Sequence, residues 1–231
     1  SLRQGDRMCA GVLRVKCALG LFDDPYRYLD TTAAAREFYK PENLAAARDM
    51  ARKSIVLLKN DNRTLPITTG RKIALIGPFA NSRIDLLGSW YGQGDTSHVV
   101  SILQGMQERF GHDKIIFTQG SPYEQENRIG FHSALQAARN SDVAVVAVGL
   151  PGSWSGEATS MTTISLPKIQ QELIAAIRTT GKPLVLLLLN GRPLDLSWES
   201  SVADAIVEAW YPGTEGGHAV ADILSGDFNP C

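Results

Sequence analysis

Val143-Ala144-Val145-Val146-Ala147-Val148, closed by Gly149, is an unbroken apolar run, and its reading decides the fold. A strand with one wet face alternates apolar and polar residues. A strand covered on both faces does not, and parallel sheets are built from this second kind. The run is also too short for a helix buried on all sides. Similar runs stand at Ile73–Ile76, Ile115–Phe117, Leu184–Leu189 and Ala205–Val207. Between them, helical spacing of apolar residues predicts helices near 99–110, 129–140, 167–179 and 215–225. Strands alternating with helices predict a mostly parallel sheet joined by right-handed crossovers, an αβα sandwich of the α/β class.

Upstream of this alternation the pattern changes. Met8, Val12, Val15 and Leu19 mark one face of an amphipathic helix over 8–20, with Gly20 as its stop. Residues 21–40 lack a period and contain Asp24-Pro25, which reads as a linker. Leu44, Ala47, Ala51, Ile55 and Leu58, three or four apart, predict a second helix over 42–59.

Composition narrows the function classes. The 231 residues are 44% apolar and 20% charged with a net charge of −1, ordinary for a globular chain with a full core. Basic residues are scattered, so there is no basic face for nucleic acid. No apolar run approaches the ~18 residues of a membrane span. Ser1–Arg7 lacks the apolar core of a signal peptide. Cys9 and Cys17, eight positions apart on one helix, would lie about 12 Å apart, too far to bridge. With Cys231 they read as free thiols. His98, His112, His132 and His218 lack metal-ligand spacing, so no metal is expected. Gly88–Gly94 matches neither dinucleotide nor phosphate-loop glycine patterns. Gly152-Ser153-Trp154-Ser155-Gly156 has Trp where a serine nucleophile elbow needs Ser. No cofactor is implied.

Directly after Val148 comes a long polar, glycine-rich loop, 149–167, holding one carboxylate, Glu157. Loops beyond the carboxyl ends of parallel strands converge on a crevice where chemistry takes place. By position alone Glu157 reads either as a general acid or as a solvated loop residue. Ser155-Gly156-Glu157-Ala158-Thr159-Ser160, Ile164-Ser165-Leu166-Pro167, Gly181-Lys182-Pro183 and Asn190-Gly191-Arg192-Pro193-Leu194 closely resemble glycoside hydrolase family 3, the β-glucosidase family. Leu19-Gly20-Leu21-Phe22-Asp23-Asp24-Pro25-Tyr26, Ser54–Asn60, Gly88-Ser89-Trp90 and Trp210–Gly217 fit it in the same order. The resemblance runs from about residue 10 to the end.

That resemblance implies a (β/α)8 barrel followed by a linker and an αβα sandwich. Residues 1–22 then look like the last helix of the barrel, 23–41 like the linker and 42–231 like the sandwich, the downstream part of a larger enzyme. Family 3 enzymes are retaining, with an aspartate nucleophile on the barrel, and no segment here resembles that motif. Glu157 matches the family's acid/base. The implied activity is a β-glucosidase-type removal of terminal non-reducing β-D-glucosyl residues from an oligosaccharide or glucoside. The upstream barrel would be the partner, and a periplasmic or secreted location is compatible. The chain alone is expected to be inactive. Trp90, among glycines, offers a flat apolar face to the C–H side of a sugar, and Tyr91 and Trp154 are further candidates of that kind. Lys59, Asn60, Arg192 and Glu215 read as cap, interface and loop structure. The sequence departs from the family where Leu150 replaces a usual glutamate, Met161 an arginine and Thr163 an aspartate, which touches how the loop is anchored. The alternative reading is a non-catalytic sugar-binding or interface αβα module.

Overall fold

In the computed structural model, which describes residues 1–230, the chain divides into two units, Ser1–Asn43 and the residues from Leu44 onward. The first unit holds α1 (Leu2–Ala18) and α2 (Ala33–Glu37). Helix α1 begins earlier than apolar periodicity predicts, because its first turns carry polar residues that tolerate helix. It ends where predicted. Leu21 N–H bonds to the Lys16 carbonyl and Gly20 N–H to that of Cys17, with Gly20 at φ +70°, a Schellman closure. Met8, Val12 and Val15 on its apolar face are 71%, 58% and 59% exposed. Cys9 and Cys17 are exposed free thiols, and Cys231 lies outside the described residues.

The second part runs α3 (Pro41–Ser54), β1 (Val56–Asn60), β2 (Ile73–Ile76), α4 (Ile84–Leu87), α5 (Ile102–Phe110), β3 (Ile115–Thr118) and α6 (Phe131–Arg139). It continues β4 (Val143–Gly149), α7 (Lys168–Arg178), β5 (Leu184–Leu189), α8 (Ser197–Val202), β6 (Ala205–Glu208) and α9 (Gly216–Ser225). The strands form one sheet in the order β1-β6-β5-β4-β2-β3. All neighbours are parallel except β1, which pairs antiparallel with β6 across a bulge between Leu57 and Lys59.

One sequence expectation fails here. The helix predicted over 42–59 stops at Ser54, and Val56–Asn60 is an edge strand. A stripe at helical spacing cannot distinguish a helix from a helix followed by a short strand. Pairing with β6 decides the matter, and Ile55 is fully buried while Leu58 is left half exposed. The Lys59 ammonium donates to the carbonyls of Ser200 and Ala203 at the end of α8, the cap read from the sequence.

The unbroken apolar strands are explained by their two coats. Val143, Val145 and Ala147 of β4 pack with α3, α5 and α9, whereas Ala144, Val146 and Val148 pack with α6 and α7. Strand β5 alternates in step, with Val185, Leu187 and Leu189 facing the first layer and Leu184, Leu186 and Leu188 the second. On the first face α5 and α9 meet at glycines. A Cβ on Gly105 would lie 2.2 Å from the Gly217 carbonyl oxygen. His218 of α9 bridges Glu215 (2.5 Å) and Glu108 of α5 (2.7 Å). Burial lowers its pKa, but the two carboxylates outweigh it and the net direction is upward.

From β2 the chain moves outward to β3 and then returns to the other side of β2 as β4. The sheet therefore reverses its winding between β2 and β4, and a crevice opens beyond their carboxyl ends. Strand ends here must lie backbone against backbone. A Cβ on Gly77 would sit 2.0 Å from the Ala147 carbonyl oxygen, and one on Gly149 1.9 Å from that of Leu189.

Candidate active site

The crevice at this reversal is a cavity of about 750 Å3 walled by the segments that follow β2, β3 and β4. Glu157, Trp90, Tyr91 and Trp154, read separately from the sequence, all line it. Glu157 is exposed and its carboxylate makes no hydrogen bond among the described residues. The Trp90 ring is 74% exposed, Tyr91 41%, and Trp154 is half buried. Gly156 takes φ +111°, a conformation that L side chains rarely adopt, and a Cβ there would lie 3.2 Å from the Ser89 Cβ, so a glycine suits this close approach of the two walls.

The positions of these residues follow from buried polar groups that sequence reasoning missed. Asp85 of α4 is only 5% exposed. Its carboxylate accepts hydrogen bonds from the Ser82 hydroxyl (2.6 Å), the Tyr123 phenol (2.5 Å) and the Gly152 N–H (3.1 Å). One acid thus ties together the segments after β2, β3 and β4. The Tyr123 pKa is pushed up to about 12, by burial first and by the Asp85 hydrogen bond second, so the phenol stays a donor. Gln170 of α7, fully buried, accepts from Gly149 N–H (2.8 Å) and donates to the carbonyls of Tyr123 (2.8 Å) and Gly149 (2.9 Å). The available signals were a lone acid within the apolar turn Ile84–Leu87 and a lone amide on the apolar stripe of 167–179.

The β4 loop has a second set of anchors from the ends of β5 and β6. Tyr211 donates its phenol to the Leu150 carbonyl (2.9 Å) and lies 3.3 Å from the Ser155 hydroxyl. The Arg192 guanidinium donates to the Trp154 carbonyl (2.6 Å). Leu150, in the place of the family's usual glutamate, is fully buried and held through its backbone. Met161 is half buried and Thr163 exposed, and both line a second cavity of about 580 Å3 that shares Glu124, Ser153, Trp154 and Thr159 with the first.

Glu124 is the other exposed carboxylate on the main cavity, and Asp85 is fully engaged. Glu157 and Glu124 are therefore the carboxylates open to exchange a proton with a bound molecule. Among the described residues no group of His, Cys, Asp or Glu is arranged to hold a metal ion, and no helix is long and apolar enough to cross a membrane.

Comparison with known proteins gives concordant matches. The model of the glycosyl hydrolase family 3 C-terminal domain covers residues 55–231. A periplasmic beta-glucosidase of Salmonella typhimurium is 42% identical over 248 aligned residues, spanning 95% of this chain and 32% of the relative. A beta-xylosidase of Formosa agariphila is 36% identical over 232 residues, 97% of this chain and 32% of the relative. The structure of a mutant beta-glucosidase from Listeria innocua in complex with laminaribiose superposes with a TM-score of 0.87 at 38% identity, over 94% of this chain and 30% of that one. The chain thus spans about a third of the length of these relatives.

Proposed function

Because the chain belongs to glycosyl hydrolase family 3, we propose that it is the sandwich portion of a retaining β-glycosidase of the β-glucosidase type, with Glu157 as its general acid and base. The observation that carries this reading is the placement of an unpaired carboxylate on the β4 loop, lining the crevice together with three aromatic residues. A sugar alkoxide is a poor leaving group and must be protonated as the glycosidic bond breaks. Glu157 donates that proton to the glycosidic oxygen. It then takes a proton from the water that releases the sugar from the covalent intermediate. The nucleophile is assigned to an aspartate on the barrel that precedes this domain in the family. Packing of that barrel over the loop would exclude bulk water from the proton transfer.

Trp90, Tyr91 and Trp154 supply faces for the apolar side of sugar rings, and hydroxyls along the loop supply hydrogen bonds. Preference for a glucoside over a xyloside is supported by the β-glucosidase relative's higher identity, 42% against 36%. The same relative supports a periplasmic or secreted location for the whole protein. The test is Glu157→Ala in the full-length enzyme. Hydrolysis of cellobiose should fall about 10²–10⁴-fold while the dinitrophenyl glucoside, whose leaving group needs no proton, is nearly spared. Azide should then accelerate turnover and give the β-glucosyl azide. Equal losses on both substrates without azide rescue would favour the non-catalytic module.

A further inference from the structure

Arg192 does not line the cavity, yet it holds the segment that does. Its guanidinium donates to the Trp154 carbonyl at 2.6 Å and reaches the Thr159 hydroxyl at 3.5 Å. Thr159 in turn donates to the Gly156 carbonyl at 2.8 Å. The turn 154–159 is therefore gripped at both ends, with Glu157 at its apex. The residue after the apex, Ala158, has φ +59°, a left-handed conformation that costs a non-glycine residue energy and persists only when its surroundings enforce it.

The base of the grip is itself fixed. Asn190, fully buried, donates its amide to the Arg192 carbonyl (3.0 Å) and to Glu208 (3.1 Å). Glu208 accepts from Trp210 N–H at 2.9 Å. Gly191 admits Tyr211 and Ser155 so closely that a Cβ would lie 2.6 Å from the ring and 2.7 Å from the hydroxyl. The guanidinium thus projects from a backbone locked to the sheet ends.

We propose that Arg192 is the positioning residue of the acid/base: it staples the 154–159 turn so that Glu157 is presented to the glycosidic oxygen at a fixed height. The proposal rests on the reading of Glu157 as the acid. An acid misplaced by about 1 Å loses on the order of 10²-fold in rate, without any loss of substrate binding. Both bonds leave one guanidinium nitrogen, Nη2, aimed by a rigid planar head, whereas a lysine ammonium rotates on a flexible stem.

The experiment uses the full-length enzyme and compares Glu157→Ala, Arg192→Ala, Arg192→Lys and Thr159→Val on cellobiose and on the dinitrophenyl glucoside, reading kcat/KM. Arg192→Ala is expected to lower the cellobiose value by roughly 10–100-fold through kcat with KM little changed, and to alter the dinitrophenyl value less than about threefold. Arg192→Lys should recover little of the loss, while added guanidinium ion should recover part of it. Thr159→Val, isosteric and safe for folding, should show the same leaving-group signature at about 3–10-fold. If Glu157→Ala lacks the signature, the acid reading fails and the proposal with it. If Glu157→Ala shows it but Arg192→Ala loses both substrates equally, or neither, the proposal alone is overturned. Should Arg192→Ala fail to fold, Thr159→Val and Arg192→Lys decide on the same criterion.

Discussion

Glu208 ends β6 with its carboxyl 4% exposed, and burial pushes its pKa up to about 7, against the pull of hydrogen bonds from Trp210 N–H and Asn190. Neutralising the charge is thus preferred in the fold, while the unfolded chain keeps an ordinary glutamate near 4.5. Between those values the native state binds more protons than the unfolded one, so stability falls as pH rises. The loss sets in above pH 4.5 and is complete once the pH passes about 7. At about 1.4 kcal/mol per pH unit it amounts to about 3 kcal/mol, a large share of a typical domain's stability. The perturbation is Glu208→Gln, and the assay is urea unfolding of the purified chain at half-unit steps from pH 4.5 to 8. The amide changes hydrogen bonding with Asn190, so the two curves will be offset by a constant. The slope is the informative quantity. Wild type should lose about 3 kcal/mol more than the variant across the window. Parallel curves would show that Glu208 is not held neutral by burial and would refute the reasoning.

Other expectations follow from the same contacts. The raised His218 pKa means that its bridge between Glu108 and Glu215 stabilises fully below the unfolded value near 6.5 and is lost as pH rises through the higher folded value. His218→Asn should flatten that alkaline limb, and an unchanged limb in urea titrations would remove the bridge from consideration. Gly105→Ala drives a methyl to 2.2 Å from a backbone oxygen, so it should cost about 1–3 kcal/mol and lower Tm by roughly 2–12 °C in calorimetry. An unchanged Tm would mean that α5 and α9 separate freely. Trp90→Ala in the full-length enzyme should raise KM for cellobiose more than for aryl glucosides, while equal effects with a lowered Tm would assign Trp90 to packing. Asp85→Asn, which weakens three hydrogen bonds to a buried carboxylate, should cost about 1–3 kcal/mol in urea unfolding. The same change should lower kcat, and native stability and kcat in the variant would contradict its role as the tie between three segments.

The core strands were legible because their surroundings leave a simple trace. The middle of a strand coated on both faces is almost wholly apolar, so Ile73–Ile76 and Leu184–Leu189 are seen in the structure with the bounds that the sequence predicts. Strand β1 was illegible for the converse reason. It lies at an edge, only partly buried, and its residues are set by one neighbour, β6, that is distant in sequence. The short helix α4 was missed as well, since four residues cannot display a helical period.

The site divides along a similar line. Glu157 and Trp90, which line the cavity, are picked out by the family motifs around them, although by position alone Glu157 also reads as a solvated loop residue. Those that hold the loop leave no such trace, because Asp85, Gln170 and Arg192 act through partners 21 to 67 positions away, and spacing carries no record of such pairs: Gly152 for Asp85, Gly149 for Gln170, Trp154 for Arg192. A loop without regular structure needs its backbone groups satisfied by side chains from rigid elements. Here α7 grips the last residue of β4, while α4 and the ends of β5 and β6 each reach into the segment after it. The charged family residues replaced by Leu150 and Thr163 are consistent with this arrangement. Leu150 is held by its backbone to Leu189 and Tyr211, and Thr163 stands exposed, so neither position requires a charge to keep the loop in place.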